Sequence, residues 1–102
     1  MNPATQADQP ARPDRWELAP DTGFVERDEL TYLAGLPDGP IVVLDTVAGV
    51  ILQIALDVPA DKVTAEVAAA YGKVPTEVDA AVSECLSGLE RARLLRRVGA
   101  RG

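Results

Sequence analysis

An α+β fold is predicted by three features of this 102-residue chain. β-forming residues cluster between Gly23 and Leu44, turn-forming residues divide them into short runs, and from Asp45 onward the apolar residues recur at helical spacing. The composition allows a packed core, because 47% of the residues are hydrophobic and a chain of that kind buries enough surface to offset its ordering entropy. Only 4% are aromatic, so Ala, Val and Leu must fill the core.

The elements follow in chain order. Met1 to about Asp14 is rich in Pro, Ala, Gln and Asp without apolar periodicity, and residues 1–15 are expected to form a disordered N-terminal segment. Trp16 is the first residue large enough to anchor the chain, and it is expected to pack on the edge of the core. Phe24 to Arg27 reads as a short strand, Asp28-Glu29 as a turn, and Leu30 to Leu33 as a second strand. Leu36-Pro37-Asp38-Gly39-Pro40 supplies another turn, in which proline presets φ and glycine accepts a positive φ. Ile41 to Leu44 completes a three-stranded antiparallel meander.

Asp45 or Thr46 then caps a first helix that carries Val47, Val50, Ile51 and Ile54 at helical spacing up to about Leu56. Pro59 separates it from a second helix, about Asp61 to Tyr71, which Gly72 terminates. Pro75-Thr76-Glu77 opens a third, with Val78, Val82, Cys85, Leu86 and Leu89 in one stripe that requires a core to face. A three-stranded antiparallel sheet followed by three helices stacked on one of its faces is expected, and a winged helix-turn-helix is the compact architecture that fits it. The expected boundaries are 16–98 for the folded domain and 99–102 for a disordered tail.

Several chemistries drop out. There is no histidine, which removes imidazole catalysis and His-ligated metal sites. A single cysteine, Cys85, can form neither an internal disulfide nor a thiolate zinc site, and its place on the apolar face of the third helix favours an inert thiol. Ser83 and Ser87 have no base at useful spacing, and Gly35, Gly39 and Gly49 are too isolated for a phosphate-binding loop. Glu77 and Asp79 are accounted for by a helix N-terminus. A non-catalytic protein without metal or cofactor is expected. No apolar run approaches the roughly 18 residues of a membrane span, so a cytoplasmic location without membrane contact is expected too.

Charge is unevenly distributed. Residues 1–90 carry 5 basic and 16 acidic groups, whereas 91–102 carry the five arginines 91, 93, 96, 97 and 101 and no acid. The arginines suit the negative end of a helix dipole, or else a tail that touches an anionic partner. A winged helix that reads DNA would lead with the first turns of its third helix. Here those turns hold Glu77, Asp79 and Glu84, which repel phosphates. Nucleic acid is therefore not the expected partner, and DNA binding through the arginine-rich end stands as the alternative.

The most informative stretch is Ile41-Val42-Val43-Leu44. An antiparallel strand with one wet face should alternate apolar with polar, and this one is apolar on both faces. Either it is central or covered by the third helix, or it is an edge that an extended peptide docks against, with the third helix as the other wall of the groove. The small residues Ala81, Cys85 and Gly88, spaced i, i+4 and i+7, leave room beside that helix for apolar anchors, or mark where it packs closely on the sheet.

Gly39-Pro40-Ile41-Val42-Val43-Leu44-Asp45-Thr46-Val47-Ala48-Gly49-Val50-Ile51-Leu52 resembles the strand-into-helix signature of the PqqD-like proteins, the recognition elements for precursors of ribosomally synthesised and modified peptides. Val67-Ala68-Ala69-Ala70-Tyr71-Gly72 and the third helix with Val78, Val82, Leu86, Leu89 and Leu94-Leu95 are also similar, and the resemblance covers about residues 16–98. Two places depart from it: Ala81, Val82 and Cys85 stand where the family often has Asp, an apolar residue and Phe, and Arg93 stands where a glycine commonly precedes the Leu pair. The resemblance implies a non-catalytic adaptor that binds a precursor's leader as an added strand and presents it to a modifying enzyme such as a radical SAM protein, a cyclase or a leader peptidase. The expected peptide contacts are Ile41, Val42, Val43 and Leu44 on the strand and Ala81, Val82, Cys85 and Leu89 on the third helix. An orphan relative that holds only a protein partner is a further possibility.

Overall fold

The structure is a computed structural model that describes residues 14–99. It is a mixed α+β fold with three helices and two small antiparallel sheets. Strands β2 (Thr22–Arg27), β3 (Leu30–Gly35) and β4 (Ile41–Leu44) form the meander in the order β2-β3-β4. Helices α1 (Thr46–Asp57), α2 (Val63–Ala70) and α3 (Pro75–Arg91) follow, with a 3₁₀ turn at Ala60–Lys62 leading into α2.

The second sheet corrects the expected strand count. β1 (Arg15–Leu18) pairs antiparallel with β5 (Leu95–Val98), Arg15 opposite Val98 and Leu18 opposite Leu95. Trp16 is accordingly a buried core residue on a strand rather than an edge anchor. The arginines do not extend a helix. Only Arg91 lies in the last turn of α3, while Arg96 and Arg97 belong to β5. The separation arises at Arg93, whose φ of 64° turns the chain out of the helix. Expectations for residues 1–13 and 100–102 lie outside the described residues.

Local chemistry explains the boundaries. β2 and β3 are joined by Asp28 and Glu29, both at positive φ (53° and 68°), as in the two-residue turns whose twist matches a hairpin. The Asp45 side chain caps α1 by accepting from the Ala48 N–H at 2.8 Å. At α3, Pro75 occupies the first turn, where its missing N–H costs nothing. Glu77 folds back to accept the Val74 N–H at 3.0 Å.

α1 is the centre of the core. Its Ile51, Leu52 and Ala55 are buried together with Leu33 and Leu44 of the sheet, Val63 and Val67 of α2, and Val82, Leu86 and Leu89 of α3. Gly49 lets α1 lie close to β3: an added Cβ would sit 2.8 Å from Thr31 Oγ1. The helices therefore cover one face of the β2-β3-β4 sheet. The other face bears Val25, Tyr32 and Val43 in one cross-strand row and Ala34 and Ile41 in the next, and Val25, Ile41 and Val43 are exposed there.

Candidate functional site

β4 is an edge strand. Its only partner among the described residues is β3, and its side chains alternate: Leu44 is 7% exposed and Val42 half-buried, whereas Ile41 and Val43 are 72% and 52% exposed. Four apolar residues in a row thus divide into two that complete the core and two that face water. The central-strand alternative does not hold.

The phase of the hydrogen bonds follows from two contacts. Gly35 donates its N–H to the Pro40 carbonyl at 3.0 Å, and Leu36 donates to the Asp21 carbonyl at 2.8 Å. Antiparallel residues alternate between pairs that exchange hydrogen bonds and pairs that do not. With Leu33 opposite Val42 and Tyr32 opposite Val43, β3 uses its odd-numbered residues toward β4 and its even-numbered ones toward β2. Val42 and Leu44 are therefore bonded to β3. Ile41 and Val43 direct their N–H and C=O groups away from the sheet, at an edge without charge or bulge to guard it.

Immediately after β4 the chain enters an open groove of about 360 Å³ lined by Asp45, Val47, Ala48, Ile51, Ala81, Glu84 and Cys85. One wall is the first turns of α1 and the other is α3. Of the expected helix contacts, Ala81 and Cys85 line this groove, while Val82 and Leu89 point into the core. A Cβ added at Gly88 would meet no atom within 4 Å, so close packing is not what keeps that position small. Asp45, Val47, Ala48, Ile51 and Glu84 join the site without having been expected as peptide contacts. For Glu84 the signal was present, since it lies three residues after Ala81 and one helical turn brings them together.

The groove's chemistry is apolar at the base and acidic at the rim. The Cys85 thiol lies 3.9 Å from the Ala48 carbonyl. Burial first, and the nearby Asp45 carboxylate second, push its pKa above the ordinary value. A thiol held protonated in this way is a poor nucleophile. No group of three or more potential metal-ligating side chains occurs among the described residues. No helix of the described residues is long and apolar enough to cross a membrane.

Two arginines of the basic end are paired within the fold. Arg96 pairs with Glu17 and Arg97 with Asp14, each at 3.4 Å. The Arg97 guanidinium also lies 5.4 Å from the centroid of the Trp16 ring, within range of a cation–π contact. These partners come from β1 and the residue before it. No family model, curated protein or solved structure matches the chain.

Proposed function

We propose that this chain is a peptide-binding adaptor of the PqqD-like type, with the helices and the β2-β3-β4 meander acting as a winged helix-turn-helix. It holds the leader of a ribosomally synthesised precursor as a strand added to β4 and delivers it to a modifying enzyme or leader peptidase. The observation that carries this reading is the open edge at Ile41 and Val43, from which the chain passes at Asp45 into the groove between α1 and α3.

Magnitudes call for both parts of the site. About four backbone hydrogen bonds at roughly 0.5–1.5 kcal/mol net each contribute some 2–6 kcal/mol. Ordering a disordered peptide costs about 2–5 kcal/mol. Micromolar binding needs about 8 kcal/mol. The remainder must come from apolar anchors, and at about 25 cal/mol per Å² a few hundred Å² buried in the groove suffices. Asp45 and Glu84 at the rim favour a leader with basic residues beside those anchors.

The test is titration with the synthetic leader of a short precursor encoded beside this gene. Val43→Asp places a charge on an exposed edge position without entering the core. It is expected to weaken binding at least tenfold with the fold intact. A folded Val43→Asp variant with unchanged affinity would remove β4 from the site. Duplex DNA is the comparison ligand. Arg96 and Arg97, two of the arginines that would serve it, are paired with Glu17 and Asp14, and a salt-sensitive duplex affinity lost on replacing Arg93, Arg96 and Arg97 would favour that alternative instead.

A further inference from the structure

The open edge of β4 is complementary to itself. Its outward N–H and C=O groups belong to Ile41 and Val43, which flank Val42 symmetrically. Two copies approaching antiparallel about a two-fold axis at Val42 bring Ile41 opposite Val43 of the second copy, and Val43 opposite its Ile41. Every outward N–H then meets an outward C=O, forming about four hydrogen bonds, the full set that two narrow antiparallel pairs exchange. A register centred on Ile41 or Val43 instead pairs one of these residues with a position outside the strand.

Side chains agree with this register. Val42 lies beside Val42 of the second copy on the helix-covered side, and Ile41 lies beside Val43 on the open face, where both are exposed in the single copy. The nearest charges are not opposed: Asp45 falls opposite Gly39 and Asp38 opposite Thr46. The other edge of the sheet differs. β2 carries Glu26 and Arg27 there, and the Glu26 carboxylate accepts a hydrogen bond from Gln53 of α1. Charge of that kind discourages edge pairing, so one edge is guarded and the other is not.

We infer that two copies of this chain associate through β4, joining their sheets into one of six strands with a continuous apolar outer face. A second copy is the occupant that this edge fits, because an isologous contact demands a surface that complements itself, and the placement of Ile41 and Val43 about Val42 supplies one. A four-residue strand spans only about 13 Å, well short of the roughly 800 Å² per partner of a standard stable interface. The dimer is therefore weak, half-formed on the order of 0.1–1 mM, and it forms without any bound peptide.

Sedimentation and amide NMR on the chain alone, from about 10 μM to about 1 mM, test this without any peptide. Expected is a concentration-dependent dimer whose shift changes centre on Ile41–Val43, with slowed hydrogen exchange at those two amides. Ile41→Pro deletes an outward N–H and leaves the β3 ladder intact, as proline on an edge does. It should abolish the dimer. Should that variant fail to fold, Ile41→Lys at this exposed position carries the test, with at least a tenfold loss of association. A chain that stays monomeric at 1 mM, or a dimer unaltered in the folded variant, overturns the inference.

Discussion

Two helix ends in this fold are closed by the same pair of hydrogen bonds around different residues. After α2, Lys73 N–H reaches the Ala68 carbonyl and Gly72 N–H the Ala69 carbonyl; after α3, Leu94 N–H reaches Leu89 and Arg93 N–H reaches Glu90. Both are Schellman closures, and in the second the residues at the two apolar positions of the motif, Leu94 and Leu89, are both buried in the core cluster. The turning residue adopts φ of 65° at Gly72 and 64° at Arg93. A left-handed conformation costs a side chain about 1 kcal/mol that glycine avoids, partly offset here by a cation at the helix end. Arg93→Gly should therefore raise the melting temperature, by less than about 1 kcal/mol of stability, measurable by thermal denaturation. Gly72 was legible as a terminator because glycine announces this geometry, whereas an arginine among helically spaced arginines does not. Cys85 gives a second prediction at this scale. With its folded pKa raised, the thiol's contribution to stability is fully present below the unfolded value and is lost as pH rises from there through the higher folded value. Alkylation by iodoacetamide near pH 8 should be slower than for an unfolded peptide thiol, and Asp45→Asn should speed it by removing one of the two causes.

Elements were legible where a single periodicity governs them. The meander and the three helices stand near their expected places because Asp28-Glu29, the Pro37-Asp38-Gly39 turn, Pro59, Gly72 and Pro75 punctuate the sequence. β1 and β5 were not legible. Each is four residues long, two of those in β5 are arginines, and the pairing joins segments at opposite ends of the folded unit. Such a pair is recognised only from its tertiary partner. The close approach of α1 to β3 belongs to this scale as well. Gly49→Val would drive a branched side chain into Thr31, which is 4% exposed. The expected loss is about 1–3 kcal/mol, read as a lower urea midpoint. The site itself was partly legible: four consecutive apolar residues pointed to an unusual strand, but only the ladder separates Val42 and Leu44, which hold the core, from Ile41 and Val43, which face outward.

Across the whole molecule, charge separates into internal pairs and an unbalanced acidic surface. The Glu17–Arg96 and Asp14–Arg97 pairs are about half exposed, so each contributes at most about 1 kcal/mol. The net charge of −6 remains for partners to meet. Binding of a basic-flanked leader should weaken as salt rises from about 50 to 500 mM, in keeping with screening over a few ångströms, and titration calorimetry at the two salts checks this. If leader and second copy share the β4 edge, saturating leader should also return a concentrated sample to the monomer in sedimentation. The pairing of β1 with β5 has a topological consequence too. Because Arg15 stands opposite Val98, the polypeptide enters and leaves the folded unit at neighbouring points. A host protein could accept the whole unit as an insertion in one of its surface loops without separating the loop's ends. A circular permutant that joins 98 to 15 through a short glycine-serine bridge and opens in the Asp38-Gly39 turn should fold with both sheets retained.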